Sequence, residues 1–169
     1  RQLKSMRRGV TKEQVYDLIE KLRTEIPDIA LRTTLLTGYP GESEEDFAEL
    51  LEFVEKVRFE RLGVFPYSEE EGTYSAEQLD DDVPDEVKQQ RADTLMELQN
   101  RISAENNRLR IGNCERIIID RREDSFLIGR SQYDSPEIDT EILIETEQQI
   151  RPGAFCNVKI TDAEDYDLY

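Results

Sequence analysis

The sequence predicts an α/β segment followed by a small all-β module, with a long helix between them. Three observations predict it. Apolar residues alternate between helical and strand spacing in the order helix, strand, helix, strand from Thr11 to Phe65, the pattern of a parallel sheet with crossover helices. Spacings of three and four then persist from Pro84 to near Asn107. Beyond Asn107 the period falls to two, in four short runs.

Each element has a local reason. Thr11 and Gln14 have the spacing of a capping box, and Val15, Leu18, Ile19 and Leu22 follow on one helical face that ends before Pro27. Leu31 to Thr37 reads as a strand, and its β-branched, apolar Thr33–Thr37 stretch suits a strand buried in a parallel sheet. Gly38-Tyr39-Pro40-Gly41 is turn chemistry, since glycine supplies φ > 0 and proline fixes φ. Ser43 caps the next helix, whose first turn carries Glu44, Glu45 and Asp46 and whose apolar face carries Phe47, Leu50, Leu51, Val54 and Val57. A second strand covers Arg61 to Phe65, where Gly63 permits close approach. The acidic stretch from Pro66 to Val83 reads as a long connection. Pro84 opens the long helix, which carries Val87, Arg91, Leu95, Leu98 and Ile102. CERIIID, SFLIGRS, EILIE and FCNVKIT are the strand runs, separated by turns at Arg122–Asp124, Ser135-Pro136 and Arg151–Gly153. They predict a small antiparallel barrel with a marginal core.

Composition narrows function. The formal charge is −17, with net −11 up to Asn106 and −6 beyond it, so both halves are acidic. That argues against an electrostatic grip on a phosphate backbone and favours a basic protein partner, unless the acidity serves solubility alone. There is no histidine, and Cys114 and Cys156 lack metal-ligand spacing, so no metal site is expected; each reads as a small apolar strand residue. A disulfide between them is not expected. No apolar run is long enough to span a bilayer.

In α/β folds ligands sit at the carboxyl ends of strands. Gly38 to Glu42 is therefore one candidate site, though the same residues suit an ordinary βα loop. Phe65, Tyr67 and Ser68 close the second strand beside it; there Phe65 and Tyr67 can stack on a flat ligand or serve as core and rim. In the β-module, Tyr133 to Asp139 and the tail from Asp162 to Tyr169 mix aromatic and acidic residues, which suits a basic partner as well as a solvated loop and a frayed end.

TTLLTGYPGESEEDF, RLGVFPYSEEEGT and MRRGVTKEQ together resemble the later part of the radical S-adenosylmethionine methylthiotransferases, and GRSQYDSPEID through VKITDAEDYDLY resembles their closing TRAM domain. The resemblance implies three regions. Residues 1–83 are a remnant of a partial TIM-like barrel, 84–106 a linking helix, and 107–169 an OB-like TRAM barrel. YDSPEID, EDYDLY and the acidic charge resemble the branch that adds a methylthio group to the β-carbon of an aspartate in a basic small-subunit ribosomal protein. The alternatives are the sister branch acting on tRNA and a non-enzymatic acidic adaptor. The family uses S-adenosylmethionine and two 4Fe-4S clusters, one of which cleaves S-adenosylmethionine to a radical. The resemblance gives Gly38, Pro40, Gly41 and Glu42, with Phe65, Tyr67 and Ser68, to the S-adenosylmethionine pocket. It gives Tyr133, Asp134, Glu137, Asp139, Asp165 and Asp167 to substrate docking. The family's CxxxCxxC cluster motif does not occur in this sequence. The chain alone is therefore expected to bind no cluster and to be inactive. Two parallel strands leave open edges, so pairing with a second copy is expected. The implied setting is the cytoplasm.

Overall fold

A computed structural model describes residues 2–136, 138–165 and 167–169. The chain forms two compact units, Arg1–Gln99 and Asn100–Tyr169, and their boundary falls within one continuous helix.

In the first unit, α1 (Gln2–Ser5) and α2 (Lys12–Glu25) precede β1 (Arg32–Thr37), α3 (Glu44–Val57) crosses to β2 (Arg61–Pro66), and α4 (Tyr74–Gln78) precedes α5 (Asp85–Arg110). Both expected capping boxes form: Thr11 with Gln14, and Ser43 with Asp46, each satisfying two end amides reciprocally. β1 and β2 pair in parallel, Arg32 opposite Arg61 through Thr37 opposite Pro66. Phe47, Val54 and Val57 of α3 are buried, and Tyr16, Phe53 and Phe59 stack edge to face at 5.3 and 5.5 Å. Arg23 and Glu60 pair at 2.9 Å, and Glu60 also accepts the Leu31 amide at 2.7 Å, tying α2 to the start of both strands.

Three expectations change here. β1 is not buried throughout: Arg32, Thr34 and Leu36 alternate outward, and Phe65 on β2 is 59% exposed. The reason is that one face of this two-stranded sheet has no covering layer among the described residues. The acidic connection is not all loop, because Thr73 caps α4 through the Ala76 amide. α5 continues past Asn107 to Arg110, where Gly112 at φ +91° breaks it.

In the second unit, β3 (Cys114–Glu123), β4 (Phe126–Arg130), β5 (Ile142–Glu145) and β6 (Phe155–Lys159) form one antiparallel sheet in the order β5-β4-β3-β6. Asp124 in the left-handed conformation (φ +49°) makes the β3–β4 turn, and a bulge between Ile119 and Arg121 bends β3. Gly129 is required where the strands meet, since a Cβ there would lie 2.6 Å from the Ile118 carbonyl oxygen. Ile117, Ile119, Leu127, Ile142, Ile160 and Leu168 form the core.

The expected closed barrel is instead a curled half-barrel, in which β5 and β6 do not pair. The tail spans that seam. Leu168 bridges Ile142 in parallel and Ala163 in antiparallel fashion, the Leu143 amide donates to the Leu168 carbonyl at 2.8 Å, and the Tyr169 amide donates to the Asp162 carbonyl at 2.9 Å. Leu168 is fully buried and joins the core, so the tail is anchored there and not frayed, while Asp162, Glu164 and Asp165 are exposed. The cysteines are free: Cys114 faces Lys159 and Cys156 faces Ile117, an offset of three pairs, roughly 10 Å, beyond disulfide reach. Cys114 is exposed, not apolar filling as expected, because its strand position points out of the sheet.

Candidate functional site

The loop after β1 is held by two buried cations of α5. Gly38 adopts φ +69°, and a Cβ at this position would sit 2.1 Å from Cγ of Lys88, so only glycine fits beneath that stem. The Gly38 amide donates to Glu42 Oε1 at 2.9 Å. Arg91 Nη1 donates to the same oxygen at 2.8 Å, and Nη2 reaches Glu44 at 2.5 Å. The Gly41 amide is taken by Asp82 at 2.7 Å, and the Glu42 amide donates to the Tyr39 carbonyl at 2.9 Å. Thr37 Oγ1 donates to the Lys88 carbonyl at 3.0 Å. Lys88 Nζ donates to Asp81 at 2.6 Å and to Asp85 at 2.9 Å. Burial alone would lower the Lys88 pKa; Asp81 and Asp85 outweigh it and carry it above its ordinary 10.5. Gly38, Tyr39, Pro40 and Glu42 are thus packed, and the amides of Gly38, Gly41 and Glu42 already have acceptors.

Phe65, Tyr67 and Ser68 part company. Tyr67 is buried, stacks edge to face on Tyr39 at 5.4 Å and lies beneath Lys88, yet its hydroxyl has no hydrogen-bond partner. Phe65 and Ser68 are exposed at the strand end. Phe65 sits opposite Leu36, and Gly63 opposite Thr34, on the uncovered sheet face. Thr34 and Leu36 were not picked out by sequence, because a run of β-branched and apolar residues carries no mark of a face left open. Leu36 and Phe65 give that face an exposed aliphatic and aromatic pair.

In the second unit the docking candidates also separate. Asp134 turns inward: its buried carboxylate accepts the Ser131 hydroxyl and amide and lies 3.9 Å from Arg110. Arg110 grips Glu115 with two bonds, at 2.9 and 2.6 Å. Asp139 accepts the Ser135 amide at 2.6 Å, and Asp167 accepts the Glu141 amide at 3.4 Å, both half-buried. Tyr133 is half-buried, Asp165 is exposed, and Glu137 lies outside the described residues. Ile138, between these acids, is 77% exposed, although an isoleucine in sequence scans as core. Among the described residues no cluster of histidine, cysteine or carboxylate could hold a metal ion, and no helix is long and apolar enough to cross a membrane.

Comparison with known proteins matches residues 111–169 to the TRAM domain. Nearly the whole chain is similar to proteins named ribosomal protein uS12 methylthiotransferase RimO. Identity is 53% over 99% of this chain in Parabacteroides distasonis, 55% over 99% in Bacteroides thetaiotaomicron and 51% over 99% in Christiangramia forsetii. The chain spans 39%, 38% and 37% of those relatives' lengths. The resemblance first carried by a few motifs therefore holds from end to end: this chain is a sequence relative of the RimO methylthiotransferases and carries a TRAM domain.

Proposed function

We propose that this chain is part of a radical S-adenosylmethionine methylthiotransferase that modifies the β-carbon of an aspartate in a basic small-subunit ribosomal protein. The observation that carries the reading is identity of 51–55% to RimO proteins across almost every residue of the chain. In this reading residues 1–83 belong to the radical domain, 84–106 to a linking helix and 107–169 to the TRAM region. The open face of β1 and β2 forms one wall of the S-adenosylmethionine pocket, with Phe65 and Ser68 at its rim. Gly38, Pro40, Gly41 and Glu42 set the shape of that wall from behind, and Tyr67 supports it. S-adenosylmethionine supplies the methyl group and the radical when bound with its cluster. This chain, with two cysteines and no histidine, offers no ligand set for either 4Fe-4S cluster.

Docking of the protein substrate falls to Tyr133, Glu137, Asp139, Asp165 and Asp167, in a region of net −8 over residues 111–169. Asp134 acts from within, by holding the Ser131 turn that carries Tyr133. The setting is the cytoplasm, and the open strand edges pair two copies of the chain.

The test is binding of this chain to the purified ribosomal protein, followed by anisotropy over a salt series. Micromolar binding that weakens with salt and falls several-fold in Asp139→Lys/Asp165→Lys is expected. Tight binding of tRNA without binding of the ribosomal protein would favour the sister branch. Anaerobic reconstitution should load no stoichiometric iron and sulfide, and light scattering should give a dimer mass.

A further inference from the structure

Three cations beside the glycine loop stay out of ion pairs. In the first unit Lys12, Lys21, Arg23, Lys88 and Arg91 each hold a carboxylate. Lys4, Arg7 and Arg8 are exposed and form no ion pair among the described residues, in a chain with 39 acidic residues against 22 basic ones. They cluster where α1 ends. The Arg7 amide donates to the Lys4 carbonyl at 3.1 Å and the Arg8 amide to the Leu3 carbonyl at 2.8 Å, the two closing bonds of a Schellman motif. That motif puts Arg7 in the left-handed conformation, φ +55°, where glycine is the usual residue. An arginine stands there instead, and its guanidinium lies 3.6 Å from the centroid of the Tyr74 ring. A guanidinium stacked this close has its plane set by the ring and its N–H edges directed past it. The turn is fastened to the glycine loop: Gln2 Nε2 donates to the Gly41 carbonyl and to Asp46 Oδ2, both at 3.0 Å, and the Tyr39 hydroxyl donates to the Ser5 carbonyl at 3.5 Å. The cations therefore stand at the carboxyl end of β1, where ligands of α/β folds sit.

We propose that Arg7 binds a carboxylate, that of the substrate aspartate, with Lys4 and Arg8 adding positive charge around it. The inference rests on the proposed function, which makes the β-carbon of an aspartate the reacting centre. The fork of guanidinium N–H groups meets both oxygens of a carboxylate. A carboxylate held by both oxygens fixes the bond to its β-carbon, which then keeps one orientation. An asparagine side chain brings no charge and turns an NH2 group against the guanidinium, so the same contact selects aspartate over its amide. The charge of the chain calls for such a device. Residues up to Asn106 carry net −11, which repels an approaching carboxylate unless cations face it. Acids over most of the surface draw in a basic protein, and three cations at one strand end admit its one acidic side chain. The Tyr74 stack orients Arg7 without neutralising it, whereas an internal ion pair would do both.

The experiment titrates this chain into the fluorescein-labelled ribosomal protein and into a panel of its single Asp→Asn variants, and reads anisotropy. One Asp→Asn change is expected to weaken binding about fivefold, the upper range for an exposed ion pair. In Arg7→Gly that loss should vanish, the non-additivity that marks a direct contact. Glycine suits the left-handed backbone, so this variant should keep its melting temperature, which a purely structural role for Arg7 would lower. Arg7→Lys keeps the charge without the fork and should restore only part of the discrimination. Binding with no aspartate coupled to Arg7, or an Asp→Asn loss that persists in Arg7→Gly, would overturn this inference and leave the docking reading standing. Absence of binding by the ribosomal protein would overturn both. Binding of S-adenosylmethionine that is lost in Arg7→Gly, with no protein aspartate coupled to it, would give the guanidinium to a different carboxylate and equally overturn the proposal.

Discussion

Gly38 and Gly129 are glycines for different reasons, and substitution separates them. At Gly38 the left-handed backbone and the Lys88 stem both exclude a side chain, so Gly38→Ala should cost about 2–4 kcal/mol, read from denaturant midpoints. At Gly129 the obstacle is the facing backbone, and Gly129→Ala should cost about 1–3 kcal/mol in the second unit. Glu42 answers both the Gly38 amide and Arg91, each buried, so Glu42→Ala leaves the Gly38 amide without its acceptor and Arg91 with Glu44 as its remaining carboxylate, and should cost about 1–3 kcal/mol. Lys88 predicts a pH dependence. Its folded pKa is raised, so its contribution is complete below pH 10.5 and is lost as pH rises past that value. Burial also raises the Cys156 thiol above its ordinary 9.0, which acts in the same direction. Stability should therefore decline in strong alkali, less steeply in Lys88→Met, and a melting series from pH 8 to about 11 measures it.

Among elements, those with local determinants were legible in the sequence. Thr11 and Ser43 set their helices by reciprocal caps, and Pro84 marks the start of α5, because these interactions span three or four residues. The strand runs were legible by period. What escaped depends on partners far along the chain. The tail is acidic and scans as solvated, yet Leu168 is locked by Ile142 and Ala163, and Asp134 faces Arg110 from a loop that reads as exposed. The glycine loop was legible as a turn, but its burial was not, since Lys88 and Arg91 come from a helix about 50 residues later. Leu168→Ala should cost about 2–5 kcal/mol and lower the melting temperature of the second unit. The two cysteines should also differ: exposed Cys114 should react with a thiol reagent well before half-buried Cys156, whose raised pKa leaves less thiolate, and mass spectrometry of the labelled peptides decides it.

At the scale of the whole molecule, charge is divided by function. The chain's 39 acidic residues serve first as internal partners: Asp81, Asp85, Glu42, Glu44, Glu60, Glu115 and Glu141 each hold a cation. Net charge alone therefore overstates the surface free to meet a partner. Asp165 is exposed with Ile138, and in the proposed reading it is this smaller remainder that recognises a basic protein. A salt series on the complex should accordingly show a shallow dependence, smaller than the formal charge suggests.

The placement of Leu168 has a consequence for biosynthesis. Every other member of its cluster is made earlier, from Ile117 to Ile160, but the seam beside β5 stays unsealed until this leucine has emerged. A ribosome-bound nascent chain stalled before Leu168 should hold its β-strands in a protease-sensitive state, and the protection should arrive late and in one step.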